Sequence, residues 1–221
     1  MAVDELVIER DERVGTGGFL AIRRLRVHNR RADGTRSASY TCDFIDRPHG
    51  QDAVVIALWH RADDGRIHVL VRDGRRPAVS LGRSSELAPL PDRRRDGWLT
   101  ELPAGIVEPS DRGLTGLLAR AVAEAAEEAG FAVAPEAFSL LGAGSYPSPG
   151  SVPEKYFFVA AEVDPARQGP LSGDGSPMEE GATTRWLDLD QAIAASVAGT
   201  LEDGKTELAL RRLRDRLAER P

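Results

Sequence analysis

The chain has 221 residues and a single cysteine, Cys42. An internal disulfide is therefore excluded, which fits a reducing compartment, and the residue reads as a small buried hydrophobe. Nowhere does an apolar run approach the ~20 residues that a membrane span requires. The N-terminus, MAVDELVIERDE, is acidic and lacks an apolar stretch, so no secretory leader is expected. Positive charge is in deficit: 29 Lys and Arg face 35 Asp and Glu, a net charge of −6, the wrong sign for a general nucleic-acid binder. The four histidines (His28, His49, His60, His68) show no metal-ligand spacing. These absences together predict a soluble, cytoplasmic protein with no nucleic-acid or membrane partner.

Apolar residues make up 41% of the chain, enough for a sizeable core as one domain, or as one domain plus a small appendage. Residues 19–27 and 39–45 read as strands, with Tyr40, Cys42 and Phe44 alternating onto one face. Asp33-Gly34 between them is a turn signal, so the pair reads as a hairpin. Ala53–Trp59 is continuously apolar, as expected of a strand buried on both faces. Further strands are predicted over 67–72, 98–102, 138–144, 155–163 and 183–188, and helices over 114–129, 189–197 and 205–219. Leu208, Leu210, Leu213 and Leu217 approximate an apolar stripe on the last helix. Residues 83–97 read as a loop, and the Gly/Pro-rich stretch 164–181 as a long one of the kind that is usually functional or disordered. The order suggests an α/β fold, a mixed sheet with helices on its faces, preceded by an N-terminal β extension over 1–50, with the main domain over 51–221.

Chemistry concentrates in two places. Glu101-Leu102-Pro103-Ala104-Gly105 is followed by a helical segment carrying Glu124, Glu127 and Glu128 and closed by Gly130-Phe131. At about 100° per residue these three glutamates share one helix face within an arc of about 100°. Like charges at that spacing destabilise an isolated helix by roughly 0.2–0.5 kcal/mol per pair. A hard divalent cation, Mg²⁺ or Mn²⁺, reverses the sign of that effect.

The two halves resemble the Nudix box, G-x5-E-x7-R-E-U-x-E-E-x-G-U. Gly105 matches its opening glycine, Glu124 the glutamate of R-E, Glu127 and Glu128 the E-E pair, and Gly130-Phe131 the close. Asp111 stands where the first glutamate belongs, Ala123 replaces the arginine, and four residues are inserted between Asp111 and the helix. Arg120, four residues before Glu124, is positioned to orient that carboxylate or to form a surface ion pair with it. The resemblance implies a Nudix-like α/β/α sandwich and metal-dependent hydrolysis of a nucleoside diphosphate linked to another moiety. It implies Glu124, Glu127, Glu128 and the carbonyl of Ala104 as metal ligands, with Glu127 also among the catalytic carboxylates. A general base is implied on the loop before the last strand, where Glu180 is preferred to Glu179, and Asp164 and Asp174 are the other carboxylates.

The flanks are similar to the ADP-ribose pyrophosphatase branch of that superfamily. Leu70-Val71-Arg72-Asp73-Gly74-Arg75-Arg76-Pro77 is similar to its L-V-R-Q-[YF]-R-P, Ser148-Pro149-Gly150 with Glu154 to its S-P-G-x3-E, and Gly204-Lys205-Thr206 to its G-K-T helix start. Arg75 is the first choice to hold the pyrophosphate, since a guanidinium matches phosphate oxygens bidentately. Arg72 is either a second such residue or a salt-bridged arginine at a strand end. The likeness implies Gly105 and Glu154 also at the substrate, and a homodimer joined through the N-terminal strands. ADP-ribose or a related nucleoside diphosphate sugar is the expected small-molecule partner. A catalytically weakened nucleotide-binding or sensor module is the alternative.

Overall fold

The computed structural model describes residues 3–47, 49–92, 96–173, 175–176 and 179–219. Asp174, one of the loop carboxylates noted above, lies outside the described residues. The chain divides into two compact units: Met1–Asp52 with Tyr146–Lys155, and Ala53–Ser145 with Tyr156–Pro221.

The smaller unit is a three-stranded antiparallel sheet in the order β1 (Val3–Val14), β2 (Ala21–Arg31), β3 (Tyr40–Asp46). β2 and β3 form the expected hairpin, and Gly34 makes its turn at φ 80°. β1 was not foreseen, and its chemistry explains why: it is an acidic strand laid on a basic one. Asp11 pairs with Arg23, Glu9 with Arg26 and His28, and Glu5 with Arg30 across β1 and β2. Opposite charges across a ladder stabilise the pairing without the apolar alternation that marks a strand in sequence. The 146–155 segment returns to this unit, where the Ile45 N–H donates to the Ser151 carbonyl at 2.8 Å and Arg47 meets Glu154 at 2.6 Å.

The larger unit is a seven-stranded mixed sheet, with the path β10 (Thr183–Asp188), β5 (Ile67–Arg75), β4 (Ala53–Arg61), β9 (Tyr156–Glu162), β8 (Ser139–Leu140). β6 (Trp98–Glu101) pairs with β5, and β7 (Ala104–Ile106) with β4. β4 is buried from Ala53 to Trp59 and divides the core by the period-2 rule of a strand. Val54, Ile56 and Leu58 pack with Leu117, Ala121 and Ala125 of α2 (Gly113–Ala129). Val55, Ala57 and Trp59 pack with α3 (Leu189–Ala198) and α4 (Gly204–Ala218). The result is the expected α/β/α sandwich. A short helix, α1 (Pro77–Leu81), and the β7 strand were not anticipated, and β8 is shorter than its apolar run suggested.

Helix α4 buries Thr206, Ala209, Leu210 and Leu213, with Leu208 and Leu217 at the margin, so its stripe runs through a threonine. That threonine is a relay. Asp203 caps the helix by accepting from the Thr206 N–H at 3.1 Å and hydroxyl at 2.5 Å, while the same hydroxyl accepts from the Leu102 N–H at 2.8 Å. It fixes the turn between β6 and β7 to the helix. Thr206→Val leaves the Leu102 amide buried with no acceptor and is expected to cost about 1–3 kcal/mol in urea denaturation. Thr206→Ser, which keeps the hydroxyl, is expected to retain most of that stability.

Candidate active site

Strand β7 and helix α2 meet at a glycine. A Cβ built on Gly105 would lie 1.9 Å from Glu124 Oε1 and 2.0 Å from its Cδ, so the Glu124 carboxyl rests directly on the bare Cα. One turn further along α2, Glu128 Oε2 accepts from the Ala104 N–H at 2.9 Å. β7 is thus held to the helix by two of its three face glutamates, Glu124 by packing and Glu128 by a hydrogen bond.

The helix ends at Gly130, in the left-handed region at φ 73°, and a Cβ there would come within 2.3 Å of the Gly169 carbonyl oxygen. The carbonyls left over at a helix C-terminus need donors. The long loop supplies them: Gln168 Nε2 donates to Ala129, Gly169 N–H to Gly130, and Gly173 N–H to Glu127. This anchoring carries Glu179 and Glu180 to the same cavity as the helix. The cavity has a volume of about 460 Å³, and Arg72, Glu127, Glu128, Glu179 and Glu180 line it.

Arg72 is buried and holds two of these carboxylates, Glu128 at 3.3 Å and Glu179 at 3.0 Å. Burial pushes the Glu128 carboxyl up from its ordinary 4.5 to about 8, against the opposing pull of Arg72 and the Ala104 amide, and Glu179 and Glu124 push it further up. The pocket carries more negative charge than its surroundings balance. Hard oxygen donors under such charge fit Mg²⁺ or Mn²⁺ by donor chemistry, with Glu127, Glu128 and the loop glutamates able to contribute. Among the described residues no group of three acidic, histidine or cysteine side chains converges on one point as it stands.

The remaining sequence-derived residues are distributed as follows. Arg75 is exposed, with its guanidinium 5.9 Å from the Trp98 ring centroid, and it does not line the cavity. Glu154 belongs to the smaller unit, paired with Arg47. Arg120 donates to Asp111 at 2.9 Å and pairs with Glu108 at 2.9 Å, while Glu124 stands 3.9 Å away. The insert explains this preference. It begins α2 at Gly113, and Gly116 packs so tightly on the Asp111 backbone that a Cβ would come within 2.4 Å. Asp111 is folded back over the helix within reach of Arg120.

A charged cluster that sequence reasoning passed over lies beside β6. Glu101, 1% exposed, pairs with Arg76 at 2.7 Å and Lys205 at 2.6 Å, and Lys205 also meets Asp203 at 2.9 Å. Burial acts to lower the Lys205 pKa, but Glu101 and Asp203 more than offset it and hold the ammonium above its usual range. The glutamate opening the Glu101–Gly105 motif and the lysine of Gly204-Lys205-Thr206 were its only sequence signals.

A solved structure described as an ADP compounds hydrolase aligns with 99% of this chain and 97% of its own, at a TM-score of 0.67 and 17% identity. The chain has the Nudix fold. A NUDIX hydrolase from Alicyclobacillus acidocaldarius aligns with 73% of this chain and 90% of its own, at 15% identity and a TM-score of 0.47. For a Nudix hydrolase from M. Smegmatis, RenU, the shares are 86% and 94%, at 20% identity and a TM-score of 0.43. No protein-family model matches the chain, and no curated protein matches it.

Within this Nudix fold, Glu128 has a measurable signature. Its folded pKa lies above its unfolded one, so its contribution is fully present below about pH 4.5 and is lost as pH rises towards about 8. Glu128→Gln is therefore expected to raise the Tm of the protein in EDTA at pH 8.5 relative to wild type. Near pH 4.5 the two should melt together. A difference independent of pH would contradict this account of Glu128.

Proposed function

We propose that the protein hydrolyses the pyrophosphate bond of ADP-ribose or a related nucleoside diphosphate sugar, giving AMP and a sugar phosphate, with Mg²⁺ or Mn²⁺ as cofactor. The observation that carries this reading is the single cavity shared by two glutamates of the box helix and two of a loop pinned to that helix. The full-length likeness to an ADP compounds hydrolase supports the substrate class.

In this reading Glu127 and Glu128 hold the cation from the helix, with Glu124 seated on Gly105 and the Ala104 carbonyl as further donors. A bound cation would neutralise charge on the diphosphate oxygens and acidify water. Glu179 or Glu180 accepts the proton of the attacking water. The water oxygen forms a bond to phosphorus, the bridging P–O bond breaks, and the departing phosphate leaves with that electron pair. Glu179 is partly buried and held by Arg72, whereas Glu180 is exposed at the rim. A base must be held within hydrogen-bond reach of its water, which favours Glu179. Arg72 and Arg75 are the guanidinium candidates for the phosphates, each able to match phosphate oxygens in bidentate fashion.

The smaller unit by itself contains an apolar pocket of about 230 Å³ lined by Phe19, Leu20, Ile45, Arg47 and Glu154, with the Arg47 guanidinium 6.0 Å from the centroid of the Phe19 ring. An aromatic face, a guanidinium plane and a carboxylate suit a planar base with ring N–H groups. Purified protein with either cation is expected to turn over ADP-ribose and nucleoside diphosphate sugars in a phosphatase-coupled assay. Glu179→Gln should lower kcat by orders of magnitude and Glu180→Gln far less. Efficient cleavage of nucleoside triphosphates with little of ADP-ribose would refute the substrate class.

We also propose a homodimer joined through the smaller unit, which exposes Ile8, Phe19, Leu20, Ile22 and Tyr40. That much apolar side chain on one small sheet and its β1–β2 connection marks an interaction surface, and isologous pairing is the commonest oligomer geometry. Light scattering at micromolar concentration is expected to give twice the chain mass. A monomer mass with activity intact would overturn the proposal.

A further inference from the structure

Among the described residues lining the acidic cavity, Arg72 is the single cation against four glutamates. Its backbone is fixed in β5 between two partner strands, opposite Thr184 of β10 and Glu101 of β6. Its side chain is 6% exposed and does not present a bidentate fork to one carboxylate. One terminal nitrogen reaches Glu128 on the helix at 3.3 Å and the other Glu179 on the loop at 3.0 Å. Room for this is made two residues on. A Cβ at Gly74 would come 3.0 Å from Arg72 Nη1 and 3.7 Å from Glu101 Oε1, so any larger residue there would crowd the guanidinium.

The Glu128 oxygens are thereby divided: Oε2 takes the Ala104 amide and Oε1 faces the guanidinium. A hard divalent cation sits about 2.0–2.1 Å from a ligating oxygen. On Glu128 Oε1 it would stand next to a positive nitrogen that is itself 3.3 Å from that atom, and two like charges at that range repel strongly where water is excluded. The cation and Arg72 therefore compete for that oxygen. Glu179, on the loop, gives the guanidinium a second carboxylate on which to remain.

We propose that Arg72 is a built-in counter-ion of the acidic pocket that competes with the divalent cation for Glu128. It holds helix and loop together when no cation is bound, and yields Glu128 to the cation when one is. The inference rests on the reading of this pocket as a cation site, and goes beyond it by giving Arg72 an effect on cation affinity opposite to that of a supporting residue.

The test compares wild type, Arg72→Met, Arg72→Lys and Glu128→Gln in two measurements. These are Mn²⁺ affinity, from the free-ion electron paramagnetic resonance signal, and Tm in EDTA and in saturating Mg²⁺. Arg72→Met is expected to bind Mn²⁺ about 5-fold more tightly or better, the lower end of typical coupling between sites. Its Tm should fall in EDTA and recover most of the loss in Mg²⁺. Arg72→Lys keeps the charge but loses the two-pronged reach, and should show a smaller gain in affinity, which keeps the idea testable if the methionine variant does not fold. Weaker Mn²⁺ binding in both variants would make Arg72 a positioning residue for Glu128 and overturn the proposal. An equal loss of Tm with and without cation would make it purely structural and overturn it as well. If wild type binds no Mn²⁺, or Glu128→Gln binds it as tightly as wild type, the cation-site reading itself fails.

Discussion

Two buried carboxylates set the terms for the larger unit, and they are compensated unequally. Glu101 has two cations of its own, Arg76 and Lys205, and a helix cap linked to one of them. Glu128 has one backbone amide and a guanidinium shared with Glu179. Removing a carboxylate from water costs several kcal/mol unless its partners restore that loss. At Glu101 the partners do so, and the cluster ties β6, the start of α1 and the start of α4 together. At Glu128 they do not, and the carboxyl is held well above its ordinary range. The first arrangement is what a structural ion cluster requires. The second leaves a pocket that gains from any further positive charge.

That contrast depends on the layers around β4. Because its alternate side chains serve opposite cores, the strand cannot slide by one residue without exchanging its two faces. β7, paired to β4 from Ala53↔Ile106 to Val55↔Ala104, inherits this fixed register. Gly105 therefore meets Glu124 at a set height along α2, and Ala104 meets Glu128 one turn later. The loop that brings Glu179 is fixed from the other side by the unused carbonyls at the end of α2. Helix termination and site assembly are in this sense one event, since the groups that satisfy the helix end also deliver the loop.

Most of the larger unit was legible in the sequence because its signals are local. The apolar run of β4, the 3.6-residue spacing along α2 and α4, and the glycines closing turns each act within a few residues. β1 was not legible, since acidic residues facing basic ones of β2 stand where an apolar alternation would mark a strand. β7 was missed because three residues carry no periodicity. Arg120 was readable as a neighbour of Glu124 four residues on. Its stronger attachment to Asp111 depends on how the four inserted residues fold back, which no spacing encodes.

By itself the sequence determined that three glutamates share one helix face, that a glycine precedes them at the mouth of a turn, and that the chain alternates strands and helices. These follow from bond geometry and short-range periodicity. Only the tertiary structure decided which charges face one another. Glu179 and Arg72 are separated by 107 positions, yet meet at 3.0 Å because β5 and β10 are neighbours in the sheet. Arg75, three residues further on, turns to Trp98 and solvent instead. Electrostatic balance depends on distance and burial in three dimensions, and those are set by packing between elements far apart in the chain.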